Sequence, residues 1–388
     1  MKNVNSSGGS CGRLFTIGKT EIFATDGNLP LGIAEYFKDN AVSSVFVLSE
    51  SSDYVLVGKK ICETLAARSV KTVRSTFDDG DDPSFSLPLL YGGEQAITVV
   101  GDGDALLAAA NFAAGKGIKL IYAPTTCLLS DALSGKTAPD AVFFDEKIAG
   151  TKKHSLAAAY GKATAESLAI IDYKTAVLTG NATLDKKYFL LACQAVNAAL
   201  GVNSSENKPL SLAKSQLMLA DVYANSDVLS FGGQKAVAEN LFRIRKAEKA
   251  ELEFFAFSRL VKLYSEYFMA EKLPVLSPDL LGSVLDFCHF SDGEEYETIN
   301  SSVGKAAFDG MTDRIKNAAK VPLKRELDAL TKAMPAFIST YSGLYGGKTK
   351  PSFTADELRS AVSAACFSSR AGVLAMMRED GFTQLFAV

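Results

Sequence analysis

Two hydrophobic patterns divide the chain near residue 148. Before that point, short apolar or alternating runs predict β-strands, and helical spacing of the apolar residues between them predicts α-helices. The predicted strands are Thr20 to Thr25, Ser44 to Leu48, Val70 to Val73, Ile97 to Val100, Ile118 to Tyr122 and Ala141 to Asp145. Because strands and helices alternate along the chain, the pattern predicts an open, parallel α/β sheet.

After that point, helical spacing of apolar positions dominates. The predicted helical stretches are Leu156 to Val177, Lys186 to Leu200, Ala236 to Lys272, Gly304 to Met334 and Asp356 to Glu379. We therefore predict two domains, with a cleft between them. The first is an α/β nucleotide-binding-like domain over residues 1–148, and the second is an all-helical domain over residues 149–388.

Composition and charge narrow the class of protein. The chain has 388 residues, 47% of them hydrophobic, and a net charge of −3, which favours neither nucleic acid nor an acidic membrane surface as a partner. Its apolar runs are too short to span a membrane. Six scattered cysteines include no Cys-x-x-Cys pair, so no zinc knuckle or disulfide framework is predicted. Met1 to Arg13 lacks an apolar signal core, so we expect a flexible leader and a cytoplasmic protein.

A glycine turn lies at the first corner of the strand–helix–strand unit from Ile97 to Tyr122. Gly101 and Gly103 stand where the predicted strand ends and the predicted helix begins. Free N–H groups at such a helix start bind phosphate, and glycine lets a ligand approach the backbone closely. Gly-x-Gly also occurs at ordinary tight turns, so the pair alone does not decide between a turn and a cofactor site.

Two motifs follow this unit. Pro124-Thr125-Thr126 comes directly after the second strand, and the segment from Asp131 to Thr137 ends in Gly-Lys-Thr at Lys136. A glycine turn, a helix, a strand and Pro-Thr-Thr in this order resemble the dehydroquinate synthase-like superfamily. That group includes dehydroquinate synthase, the iron-containing alcohol dehydrogenases and the glycerol-1-phosphate dehydrogenases. The resemblance implies a Rossmann-like parallel-sheet domain followed by an all-helical domain.

The same resemblance implies a site for NAD(P). The turn from Gly101 to Gly103 would hold the pyrophosphate, and Thr125 and Thr126 would lie along the cofactor. Glu50 or Asp53, after the second-strand position, would contact the adenosine ribose, although a place at the solvent-exposed surface explains both acidic residues equally well.

Several residues depart from the family pattern at this site. The middle glycine of the family's turn is Asp102 here, and Asp104 follows closely. The family's Asp and Lys later in the helix fall on Leu107 and Ala110. Because two carboxylates repel a pyrophosphate, we predict weak or absent NAD(P) binding.

The metal site of the family is also altered. In these families one carboxylate and two histidines of the helical domain hold zinc or iron, which polarises the substrate oxygen. The segments from Ala157 to Tyr173 and from Phe231 to Ala250 carry the resemblance here. The positions of the metal ligands fall on Lys162, Lys235, Glu239 and Lys246.

No shift of the alignment restores the missing imidazoles. The chain contains two histidines, His154 and His289, and neither lies at a ligand position. Lysine is protonated at neutral pH and does not bind a metal without losing that proton. We therefore predict no bound metal; a displaced site around Cys288, His289 and Asp292 is the alternative.

The lysines suggest what takes the place of the metal. We expect Lys162 and Lys246 to bridge Glu239, with Lys235 one helical turn away, so that ammonium groups replace the cation and keep an attraction for an anion. The alternative is that these residues lie on solvated helix faces.

The predicted function is that of a degenerate, metal-free homologue of NAD-dependent glycerol-1-phosphate and polyol dehydrogenases. It would bind a small anionic ligand or a partner subunit in the cleft, and Asp131 and Lys136 are further candidate site residues. One alternative is an active NAD(P)-dependent oxidoreductase that acts on a polyol or a glycerol phosphate. Another is a structural subunit of a homo-oligomer.

Overall fold

The computed structural model describes residues 11–78, 81–133, 138–178, 182–269, 312–345 and 352–366, together with residues 368, 373, 374 and 377. These residues form two compact units. The α/β unit takes those up to Ala159 and from Gly201 to Ala224, and the helical unit takes those from Tyr160 to Leu200 and from Asn225 onward. The α/β unit therefore includes a segment, 201–224, that the hydrophobic pattern assigns to the second domain.

A seven-stranded sheet forms the centre of the α/β unit. Its strands are β1 (Cys11–Ile17), β2 (Thr20–Thr25), β3 (Ser44–Glu50), β4 (Lys71–Phe77), β5 (Ala96–Gly101), β6 (Lys119–Pro124) and β7 (Ala141–Asp145). Their order is β1-β2-β7-β6-β5-β3-β4, and only the β1–β2 pair is antiparallel. The sheet confirms the predicted parallel α/β architecture.

The helices of the first half connect these strands. They are α1 (Leu29–Asp39), α2 (Ser51–Asp53), α3 (Lys59–Ala67), α4 (Pro83–Leu90), α5 (Gly103–Ala113), α6 (Ser130–Leu133) and α7 (Glu146–Ala149), with a π-helical segment, Tyr54–Gly58, between α2 and α3. In α1, Leu29, Ile33 and Phe37 recur every fourth residue and are fully buried. They pack in one cluster with Val45 of β3 and Phe143 of β7, which holds α1 against the sheet.

The second half is helical in its described part. Its helices are α8 (Lys153–Leu178), α9 (Lys186–Leu200), α10 (Lys208–Asn225), α11 (Gly233–Ile244), α12 (Lys249–Met269), α13 (Thr312–Tyr345) and α14 (Ala355–Ala365). α14 begins with a capping box of Thr354 and Glu357. None of the helices in the described ranges has the length and apolar character needed to cross a membrane.

Three local expectations are wrong. Cys11 to Arg13 begin β1 instead of belonging to a flexible leader, and residues 1–10 lie outside the described ranges. α4 forms although no helix is predicted there, because Pro83 fits its first turn and Asp82 accepts a hydrogen bond from Ser84 N. The described part of the stretch from Ala236 to Lys272, which ends at Met269, is two helices, since the backbone of Arg245 is extended.

Candidate functional site

The predicted glycine turn is present where β5 ends and α5 begins. Gly101 has φ +137°, and a Cβ built there would lie 2.9 Å from Asp53 Oδ2. A Cβ on Gly103 would lie 3.1 Å from Cβ of Ala132 in α6. Gly101 therefore has both the backbone angle and the close approach that exclude a side chain.

A partly buried ion pair crosses this corner. Lys152 Nζ lies 2.7 Å from Asp53 Oδ1 and donates a 3.0 Å hydrogen bond to Thr125 Oγ1. Asp53 and Thr125 are both buried, and Thr125 N donates a 3.2 Å hydrogen bond to Gly101 O. These bonds connect the C-terminal ends of β3, β5 and β6 to the residue before α8. We call Asp53, Lys152, Thr125 and Gly101 the sheet-edge cluster.

Two buried oxygens beside this cluster have no hydrogen-bond partner among the described residues. They are Asp53 Oδ2 and Ser49 Oγ. Ser49 lies on β3, and Asp53 ends the short helix that follows that strand. A carboxylate oxygen accepts hydrogen bonds and cannot donate them. A group that binds to Asp53 Oδ2 would therefore be a hydrogen-bond donor and not another oxyanion.

The start of α5 is strongly acidic. Asp102 is the N-cap residue of α5 and is exposed at the surface, but the protein atoms around its carboxylate raise its pKa by desolvation. The charges of Asp104, Glu50 and Asp53 raise the same pKa further. These four carboxylates and Lys152 sum to −4 + 1 = −3, so this corner repels a pyrophosphate.

The remaining residues predicted for the cofactor and loop lie as follows. Glu50 is half-buried and accepts a 3.0 Å hydrogen bond from Ser52 Oγ. Thr126 is half-buried beside Thr125, and Asp131 is exposed in α6. Lys136 lies outside the described residues, as do Cys288, His289 and Asp292.

Two of the predicted metal-site lysines lie in ion pairs inside the helical unit. Lys162 of α8 is 2% exposed, and its Nζ lies 3.8 Å from Oε2 of the buried Glu253 in α12. Lys235 of α11 is mostly buried, and its Nζ lies 2.8 Å from Oε2 of the fully buried Glu166 in α8. Two lysines and two glutamates sum to 2 − 2 = 0, so the charge of a metal ion is not replaced at these positions.

The expected bridge from Lys162 and Lys246 to Glu239 is wrong. Glu239 and Lys246 are both exposed, and Lys246 Nζ lies 4.0 Å from the ring centroid of Phe242. The physical reason is the local backbone, because α11 ends at Ile244 and Lys246 stands in the connection to α12. Glu253 takes the position beside Lys162 that Glu239 was expected to fill.

No local pattern in the sequence indicates the hydrogen-bond cluster around Asp172. This fully buried carboxylate accepts hydrogen bonds from Gly233 N at 2.7 Å, from Tyr264 Oη at 3.0 Å and from Val373 N at 2.9 Å. Burial raises the pKa of Asp172 to about 6, although each of these donors lowers it. Its donors lie 61, 92 and 201 residues away, so only the folded chain reveals the cluster.

No protein-family model and no curated protein matches the sequence. Among solved structures, an iron-containing alcohol dehydrogenase from Corynebacterium glutamicum matches with a TM-score of 0.54 at 14% identity, over 94% of this chain and 93% of that one. A glycerol dehydrogenase from Schizosaccharomyces pombe matches with a TM-score of 0.53 at 15% identity, over 87% and 94%.

A third match is an iron-containing alcohol dehydrogenase from Thermococcus thioreducens, with a TM-score of 0.55 at 11% identity, over 96% of this chain and 100% of that one. The chain has the fold of the iron-containing alcohol and glycerol dehydrogenases. This finding confirms the fold that the sequence resemblance implies. At these identities the similarity concerns the fold and not the chemistry.

The residues at the positions that the sequence resemblance assigns to the metal and to the dinucleotide do not fit those groups. A metal needs lone pairs, whereas Lys162 and Lys235 present ammonium groups that face glutamates. A dinucleotide needs a corner that accepts a pyrophosphate, whereas Asp102 makes it acidic and Lys152 is engaged by Asp53.

Proposed function

We propose that this chain is a metal-independent homologue of the alcohol and glycerol dehydrogenases that binds a small anionic ligand instead of oxidising an alcohol. The pairing of Lys162 with Glu253 and of Lys235 with Glu166 carries the metal-independent part of this proposal. Each pair is buried, so removing either partner to admit a metal would leave an uncompensated charge in the interior. A site built this way supplies no Lewis acid for hydride transfer.

The purified protein is expected to contain no stoichiometric zinc or iron, because the ligand positions carry lysines held by carboxylates. Elemental analysis by mass spectrometry checks this, both directly after purification and after incubation with Zn²⁺ or Fe²⁺ followed by gel filtration. A content near one tightly held metal ion per chain would contradict the proposal.

NADH is expected to bind weakly or not at all. The double variant Asp102→Gly, Asp104→Ser should bind NADH about tenfold more tightly than the unaltered protein, since one contact between like charges at about 4 Å costs about 1–4 kcal/mol. Titration of NADH fluorescence measures both proteins.

A matched control removes two carboxylates elsewhere on the α/β unit, by Asp39→Ser and Glu63→Gln, and should leave NADH binding unchanged. Micromolar binding by the unaltered protein would favour an active oxidoreductase instead. An equal gain in the control variant would show that net charge, and not the corner at α5, governs the affinity.

A further inference from the structure

A recess on the helical unit brings cations together beside an aromatic ring. It has a volume of about 300 Å³ and is lined by Glu239, Phe242 and Arg243 of α11 and by Lys249, the first residue of α12. This volume lies at the lower end of the range for small-molecule sites. The recess lies on the same helix as the predicted metal positions Lys235 and Glu239.

The cations of this recess are not neutralised. Arg243, Lys246 and Lys249 form no ion pair with any residue in the described part of the chain. Lys246 lies beside the recess, over the Phe242 ring, and its charge and those of the described lining residues Arg243, Lys249 and Glu239 sum to 3 − 1 = +2.

Other charged residues of the helical unit interact with partners outside the recess. The buried lysines Lys162, Lys174 and Lys235 each pair with a glutamate. Glu248 and Glu251 lie next to Lys249 in sequence, but they act on Tyr341 and Tyr345 of α13, whose pKa values are raised mainly by burial and then by these carboxylates. Both carboxylates stay charged and reduce the positive potential near Lys249, while the described charged residues that line the recess, Arg243, Lys249 and Glu239, sum to 2 − 1 = +1.

The start of α12 adds to the positive potential. Glu251 N and Leu252 N both donate to the carbonyl of Glu248, so the N–H groups of Lys249 and Ala250 precede the first hydrogen bond of the helix. Such groups carry the positive end of the helix dipole, here of a 21-residue helix. Phe242 is 38% exposed and offers an apolar face at the same place.

We propose that this recess binds a small organic phosphate, a phosphate monoester with a planar ring as its body. The guanidinium of Arg243 matches two phosphate oxygens, Lys249 supplies a point charge at the helix start, and the ring of the ligand packs on Phe242. The inference rests on the proposed function, which gives a small anion as the class of ligand. It places the binding site of that anion in this recess and not at the predicted metal positions. Glu239 weakens the binding by repulsion.

Phenyl phosphate is the probe that tests this site. Inorganic phosphate and phenol, which carry only the phosphate group or only the ring, test the two parts of the ligand separately. Isothermal titration of the full chain is expected to show saturable binding of phenyl phosphate that is tighter than binding of either half. Arg243→Gln and Lys249→Gln should each weaken it about fivefold to tenfold, and Glu239→Gln should strengthen it about threefold. A gain of affinity cannot arise from misfolding.

The matched control is Lys262→Gln. Lys262 lies on α12, is exposed and pairs with Glu266 outside the recess, so its replacement removes the same charge and should leave binding unchanged. Absence of saturable binding, or equal weakening in the control, overturns the inference. Metal content and NADH titration on the same preparation test the proposed function separately, so a metal-free protein that ignores phenyl phosphate would defeat this inference alone.

Discussion

Replacement of Lys162 by methionine is expected to lower the free energy of unfolding by about 3–5 kcal/mol. Lys162 and Glu253 are both buried, and their charged atoms lie 3.8 Å apart. Methionine keeps most of the side-chain volume but removes the cation, so the carboxylate of Glu253 stays in the interior without it. Urea denaturation followed by circular dichroism measures the loss.

Two further variants make this measurement decisive. Lys59→Met breaks the exposed pair of Lys59 with Glu63, 3.9 Å apart, and should change stability by less than about 0.5 kcal/mol. Lys162→Met combined with Glu253→Leu should recover most of the loss, because no lone charge is left behind. A small loss in the single variant, or no recovery in the double variant, would contradict the assignment of a buried pair.

Gly233→Ala is expected to destabilise the chain by about 2–4 kcal/mol. A Cβ at this position would overlap the hydroxyl oxygen of Tyr264 and would lie 3.1 Å from Cδ1 of Leu374. Tyr264 is fully buried, so its ring has little freedom to move, and any shift weakens its hydrogen bond to Asp172. Thermal and urea denaturation measure the effect.

A second pair of variants, made in Tyr264→Phe protein, tests the role of the Tyr264 hydroxyl group. In Tyr264→Phe protein, Gly233→Ala should destabilise less, since the oxygen that the new methyl group overlaps is gone. Gly343→Ala is the matched control on α13, where a Cβ meets open space, and it should be neutral or stabilise by up to about 1 kcal/mol. Equal destabilisation in both Tyr264 backgrounds would show that the overlap is not its cause.

The central strands could be predicted because they are buried on both faces. β5 and β7 are buried at every residue, so their sequences are short apolar runs. β1 could not be predicted in the same way, because it is an edge strand with one neighbour and follows a segment rich in glycine and serine. α4 carries Pro83 and Pro88, and proline normally argues against a helix.

The features of the candidate site also differ in whether the sequence can predict them. The glycine turn at Gly101 is a local feature, and adjacent residues reveal it. The partner of Lys152 is Asp53, 99 residues away, and no spacing in the sequence connects the two. The glutamates that neutralise Lys162 and Lys235 stand on other helices, so sequence alignment finds the lysines but misses the charges that cancel them.

The segment 201–224 has a consequence for the order in which contacts of the α/β unit form during synthesis. Within the α/β unit, Gln216 of α10 accepts a hydrogen bond from Ser130 N and donates one to Ala159 O, and Pro209 O accepts one from the thiol of Cys127. A ribosome releases residues 160–200, which belong to the other unit, before it releases these partners. The hydrogen bonds of Ser130, Ala159 and Cys127 with α10 therefore form only after the whole of residues 160–200 has been synthesised.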